Sequence, residues 1–172
     1  MKRFLVLTGF MGSGKSSVAK RVAAKLGWQA VDTDKLIERN AGVTIAEIFE
    51  TFGEPYFRKI ETDTLRECLK RDRTVLSVGG GLLVSEENRR MLEGVPVVNL
   101  AASFDTIYER ISHTGHVRPL VRQGRQRLYE LYEARRPLYE AIELQVSTDG
   151  KASSEVAEEV LKVVSSREGF DA

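Results

Sequence analysis

A chain of 172 residues, 42% hydrophobic and 30% charged, has room for one domain with a full core and is short for two. Its 26 Lys and Arg against 25 Asp and Glu leave a net charge of +1, so composition supplies no general attraction to nucleic acid or a membrane surface. The one cysteine, Cys68, excludes an intrachain disulfide framework and fits a reducing, cytoplasmic setting.

In chain order, the apolar run FLVLT behind Lys2 and Arg3 is too short for the core of a signal peptide. No window approaches the roughly 20 apolar residues of a membrane span. RFLVLT (3–8) predicts a fully buried strand, and SSVAKRVAAKL (16–26) a helix with Val18, Val22 and Leu26 on one face. WQAVDTD (28–34) predicts a second short strand, whose period of two would send Asp32 and Asp34 to one side at its carboxyl end. The other reading of that pair is a cap ahead of the helix KLIERN (35–40), for which Asp34 is suited. TIAEIFETF begins with a capping box of Thr44 and Glu47, and EPYFRKIETDTLRECLK (54–70) continues as a longer helix sharing Leu65, Cys68 and Leu69 on one face. TVLSV (74–78) is a strand that runs into Gly79, Gly80 and Gly81. Ser85 and Ser103 read as caps of two helices, with the strand VPVVNLA (95–101) between them. SHTGHVRPLVRQGRQ (112–126) has no core pattern and reads as a lid, binding loop or disordered insert. The strand IELQVST (142–148) and the helix SEVAEEVLKVV (154–164) close the chain. Five strands separated by helices predict a parallel sheet covered on both faces, a three-layer α/β domain.

Three features carry chemistry. Gly9 to Ser16 fits G-x-x-x-x-G-K-[ST] between a predicted strand and a predicted helix, the context of a phosphate-binding P-loop. Its glycines let backbone N–H groups converge on phosphate oxygens, Lys15 adds a charge for the terminal phosphates, and Ser16 offers a hydroxyl to magnesium. Of Asp32 and Asp34, one can hold magnesium through water and the other can take a proton from an acceptor hydroxyl. Gly79, Gly80 and Gly81 expose backbone N–H groups and admit a ligand close to the chain.

Arginines crowd 118–136, and guanidinium forks suit phosphate and carboxylate alike. Arg122, Arg125 and Arg127 read as a solvated face, and His113 and His116 as exposed loop residues without metal-ligating company. On a helix over 128–139, Leu128, Leu131, Tyr132 and Arg135 form one inward stripe. Arg136 falls beside Tyr129 and Glu133 on the surface, and Pro137 disfavours helical geometry at Arg136.

Together GFMGSGKSSVA, DTDKLIE, AGVTIAEIFETFGEPYFRKIE, VGGGL, VRPLV and RRPLY make the sequence resemble the shikimate kinases, from the P-loop to about Tyr139. That resemblance implies a nucleoside monophosphate kinase-like P-loop fold with five parallel strands, in a single kinase domain over 1–172. It implies a substrate-binding region over about 33–61, a lid over about 112–125, and MgATP-dependent phosphorylation of the shikimate 3-hydroxyl in aromatic amino-acid biosynthesis. Catalysis falls to Asp34 as base with Lys15 and Arg118. ATP falls to Gly12, Ser13, Gly14, Lys15, Ser16, Ser17, Arg110 and the lid residue Arg118, and magnesium to Ser16 and Asp32. Shikimate falls to Asp34, Arg58 supported by Glu61, the three glycines and Arg135, with Phe49 and Phe57 as apolar walls.

Ser16-Ser17 stands where the family usually has Ser-Thr, and RPLV where a second leucine is common; neither removes a chemical group. A monomer without nucleic-acid or membrane partners is expected. Two other readings stay open: a kinase of another polyol acid such as gluconate, or of a nucleotide, and an ATP-binding regulatory module without turnover. Intact Lys15, Ser16 and Asp34 speak against the last, and an arginine pair suited to a carboxylate speaks for a monocarboxylate acceptor.

Overall fold

A computed structural model of the chain describes residues 3–113, 124–167 and 170. All five predicted strands form: β1 (Phe4–Thr8), β2 (Gln29–Asp32), β3 (Thr74–Ser77), β4 (Val97–Ala101) and β5 (Leu144–Ser147). They pair in parallel in the order β2-β3-β1-β4-β5. The alternation of strand side chains sorts the core into two layers. Leu5 and Leu7 pack with Val18 and Val22 of α1 (Lys15–Leu26) and Val156 and Val160 of α8 (Ser153–Ser165) on one face. Phe4 and Val6 pack on the other face with Leu65 and Cys68 of α4 (Glu54–Cys68), Ile107 of α6 (Phe104–His113) and Leu128 of α7 (Arg125–Glu140).

Local chemistry sets the remaining boundaries. Thr44 and Glu47 close the predicted capping box at the start of α3 (Ile45–Phe52). Ser85 caps α5 (Glu86–Met91), and Ser103 Oγ accepts from Thr106 N at the start of α6. Two expectations are corrected. The second strand ends at Asp32, and α2 (Thr33–Ala41) begins at once, so Asp32 is the cap, accepting from Lys35 N at 3.1 Å. Asp34 therefore lies in the first helical turn and does not share a strand face with Asp32. Helix α7 also runs through Pro137 and keeps Arg136 helical. Around Pro137 the surface is open to solvent, where water can meet the carbonyl that a proline leaves without a partner.

A satellite core of Ile37, Ile48 and Phe57 ties α2, α3 and α4 into one unit beside the carboxyl ends of β2 and β3. No helix among the described residues is long and apolar enough to cross a membrane.

Candidate active site

The β1–α1 turn folds as a phosphate loop. Gly9, Gly12 and Gly14 have φ of +149°, +79° and +86°, values that side-chain-bearing residues seldom adopt. At Gly9 a side chain is also excluded by space, since a Cβ would lie 2.7 Å from the Leu100 carbonyl oxygen and the Ser13 hydroxyl. The lysine caps the loop, with Lys15 Nζ donating to Gly9 O at 2.8 Å and Phe10 O at 3.0 Å. Ser17, the next hydroxyl of the motif, faces solvent. Arg110 braces the loop from α6, donating to Gly12 O at 3.2 Å and to Thr148 Oγ1 and O at 3.0 and 2.9 Å.

Ser16 Oγ donates to Asp32 Oδ2, so the motif serine and the cap of α2 form a pair of hard oxygen donors beside the loop. Among the described residues no group of three or more His, Cys, Asp or Glu could hold a metal by itself. The donor set present suits magnesium, which keeps several waters and takes its other oxygens from substrate phosphates.

Beside this loop, at the end of β3, the three glycines are enclosed by charged groups. A Cβ on Gly79 would come within 2.7 Å of an Asp34 carboxylate oxygen and 3.1 Å of a Glu61 one. At Gly81 it would lie 2.5 to 2.9 Å from the Arg58 guanidinium. At Gly80 the nearest groups are Met11 N at 3.5 Å, Tyr139 Oη at 3.6 Å and an Arg135 nitrogen at 3.7 Å. Asp34, Arg58 and Arg135 are thus brought together from α2, α4 and α7 over one strand end, as the sequence predicts.

Buried charge holds these groups in place. Glu61 is 1% exposed and accepts from Arg58 Nη1 at 2.7 Å, and Glu54 takes a longer contact from the same guanidinium. Desolvation pushes the Glu61 carboxyl above its ordinary range; the pull of Arg58 offsets this in part, and Asp34 adds to it. Arg58 also stacks over the Phe57 ring at 5.3 Å, with Phe49 centred 4.7 Å from Phe57. Phe57 is buried in the satellite core and Phe49 packs against it, so both support the wall that carries Arg58. Arg135 is half-buried, whereas Arg136 lies outside, paired with Glu133 at 3.1 Å.

Two site-forming residues escape the sequence reading. Tyr139 is buried, donates its hydroxyl to Gly80 O and hydrogen-bonds Arg135. Burial pushes its phenol up to about 12, so it remains a donor at neutral pH. Its position, four residues beyond Arg135 on the inward stripe, was the available signal. The second is Thr33, buried, whose hydroxyl accepts from Gly79 N at 3.2 Å; no sequence pattern marks it. Arg118, Arg122, His116 and most of the expected lid lie outside the described residues.

A P-loop at the end of β1, with a carboxylate and two guanidinium groups converging at the end of β3, defines a P-loop kinase of small molecules. The shikimate kinase family model matches residues 11–165. The shikimate kinase of Thermodesulfovibrio yellowstonii is 42% identical over 161 residues, 92% of either chain, and one from Thermus thermophilus is 42% identical over 162 residues, 92% of this chain and 88% of its own. The structure of the Acinetobacter baumannii shikimate kinase in complex with shikimate superposes with a TM-score of 0.90 at 33% identity, covering 98% of this chain and 96% of that one. A Sinorhizobium meliloti gluconokinase, 21% identical with a TM-score of 0.55, shares the fold alone. The chain belongs to the shikimate kinase family.

Proposed function

We propose that this enzyme, a kinase that phosphorylates shikimate with ATP, transfers the γ-phosphoryl group to the shikimate 3-hydroxyl in aromatic amino-acid biosynthesis. The observation that supports this acceptor best is the convergence of Arg58 and Arg135 on Gly80 and Gly81, with Asp34 against Gly79. Two guanidinium forks read a planar carboxylate, and a carboxylate beside them receives a hydroxyl proton. In this reading the loop N–H groups from Gly12 to Ser17 hold the β- and γ-phosphates, and Lys15 turns from the Gly9 and Phe10 carbonyls to meet them. Ser16 and Asp32 would hold magnesium, which when bound neutralises charge on the phosphate oxygens.

The hydroxyl oxygen attacks the γ-phosphorus as the bond to the ADP oxygen breaks, and the hydroxyl proton passes to Asp34. Arg58, oriented by Glu61, and Arg135, oriented by Tyr139, fix the ring through its carboxylate so that one hydroxyl faces the phosphate. Arg110 keeps the loop against the end of β5 near the nucleotide. Arg118, on the proposed lid over about 112–125, is assigned to the transferring phosphate by family resemblance alone. The rest of the proposal is a single cytoplasmic domain acting as a monomer, with its acceptor region over about 33–61.

Coupled measurement of ADP release with shikimate, gluconate and AMP tests the acceptor. Magnesium-dependent turnover with shikimate alone is expected. Equal ATP hydrolysis without shikimate, or preference for gluconate, contradicts the reading.

A further inference from the structure

A groove of about 390 Å³ runs along β2, an edge strand of the sheet, between α1 and α2. Lys20 of α1, Lys35 and Arg39 of α2 and Arg71 beyond α4 all line it. The one acid in its lining is Asp32, and both its carboxylate oxygens are engaged, Oδ1 by Lys35 N and Oδ2 by Ser16 Oγ. Elsewhere some cations of this near-neutral chain are met by carboxylates, as in Arg3–Asp72, Lys59–Asp63, Arg66–Glu87 and Lys151–Glu159, and others, such as Arg21 and Arg89, by hydroxyl or carbonyl oxygens. None of the four groove cations forms an ion pair among the described residues.

Helix stability does not account for the placement of Lys35. It stands in the first turn of α2, where the helix dipole disfavours a cation, and it lies four residues before Arg39, a like-charge spacing that disfavours the helix further. Four unpaired cations around one concavity raise the local concentration of anions. Gln29, Ala30 and Val31 of β2, whose outer edge has no strand partner among the described residues, line the same concavity.

We propose that this groove is a binding site for a small organic anion with at least two negative charges, of the phosphorylated carboxylic acid class. A volume of this size holds a small metabolite, and cations on both walls can meet a phosphate and a carboxylate at once. The site borders the Ser16–Asp32 pair assigned to magnesium, lies apart from the acceptor pocket at the triple glycine, and does not depend on the identity of the acceptor.

Calorimetric titration of the full chain, saturated with MgADP so that the P-loop is filled, with 3-phosphoglycerate as probe tests this. One equivalent should bind, more weakly as salt rises. Arg39→Gln and Arg71→Gln should each weaken binding about threefold, and the Lys20→Gln/Arg39→Gln/Arg71→Gln protein roughly tenfold or more. ADP affinity and melting temperature should stay at wild-type values, because all three side chains are exposed. The single variants carry the test if the triple variant folds poorly. No binding to the saturated wild type overturns the proposal, as does equal binding by wild type and variants. Self-association of the charge-stripped protein with unchanged probe affinity also overturns it, and would make the cations guards of an open sheet edge.

Discussion

Two glycine stretches stand at the carboxyl ends of the neighbouring strands β1 and β3, and they need glycine for different reasons. Gly9, Gly12 and Gly14 take left-handed backbone conformations, and around Gly14 there is open space, so conformation alone demands glycine there. Gly79, Gly80 and Gly81 have no such conformations; Gly81 lies at φ −102°. There the missing Cβ makes room for Asp34, Glu61, Arg58 and Arg135 against the chain. One loop presents backbone to a ligand, while the other gives way to side chains that present themselves. Phosphate is recognised in the same way by many proteins, so the first loop names a chemistry; the second, built from side chains, can name a substrate.

The comparison breaks first at Asp34. Asp34→Asn should lower kcat by about 10²–10⁴-fold with the fold intact, because an amide cannot take the hydroxyl proton. Near-normal kcat in the folded variant would remove Asp34 from that role. Gly79→Ala should follow, with kcat down by up to roughly 10²-fold, since its methyl would push the Asp34 carboxylate from its place. If Gly79→Ala changed ATP affinity and left kcat intact, the β3 loop would belong to the nucleotide. Arg135→Ala should weaken shikimate binding roughly tenfold or more, and Arg136→Ala should do little, because Arg136 is an exposed partner of Glu133. The reverse order would mean that the facing of α7 is misread.

How far these groups were legible follows from how local their causes are. The P-loop, the capping box and the five strands depend on short spacings, and each forms in the predicted place, with the second strand ending early. Arg135 over Arg136 was legible as well, because a stripe of Leu128 and Tyr132 fixes the helix face. Asp32 and Asp34 were misjudged in geometry because the strand stops at Asp32, two residues short of Asp34, at a cap that Lys35 N completes. Pro137 was misjudged because a tertiary contact holds the last turn: Gln145 Nε2 donates to Tyr139 O at 2.8 Å. Thr33 and the burial of Glu61 come from three helices meeting at one strand end, which no local pattern records.

A smaller effect sharpens the electrostatic side. Burial raises the Glu61 carboxyl above its ordinary 4.5, so the folded protein keeps this proton to higher pH than the unfolded chain does. Its stabilising contribution is full below 4.5 and is lost as pH rises through the raised value. The melting temperature of wild type relative to Glu61→Gln should therefore fall as pH rises across that window. A difference that is flat or rises would contradict the buried-carboxylate account.

The difference between the two loops is tested most directly by Gly81→Ala, measured as separate dissociation constants for shikimate and ATP. The three atoms nearest the added methyl all belong to the Arg58 guanidinium, which must move away. Shikimate should bind roughly tenfold more weakly, as expected for loss of a charge-assisted hydrogen bond, with ATP affinity unchanged. Weakened ATP binding with shikimate affinity intact would show that the triple glycine serves the nucleotide, and would contradict the division between the two loops.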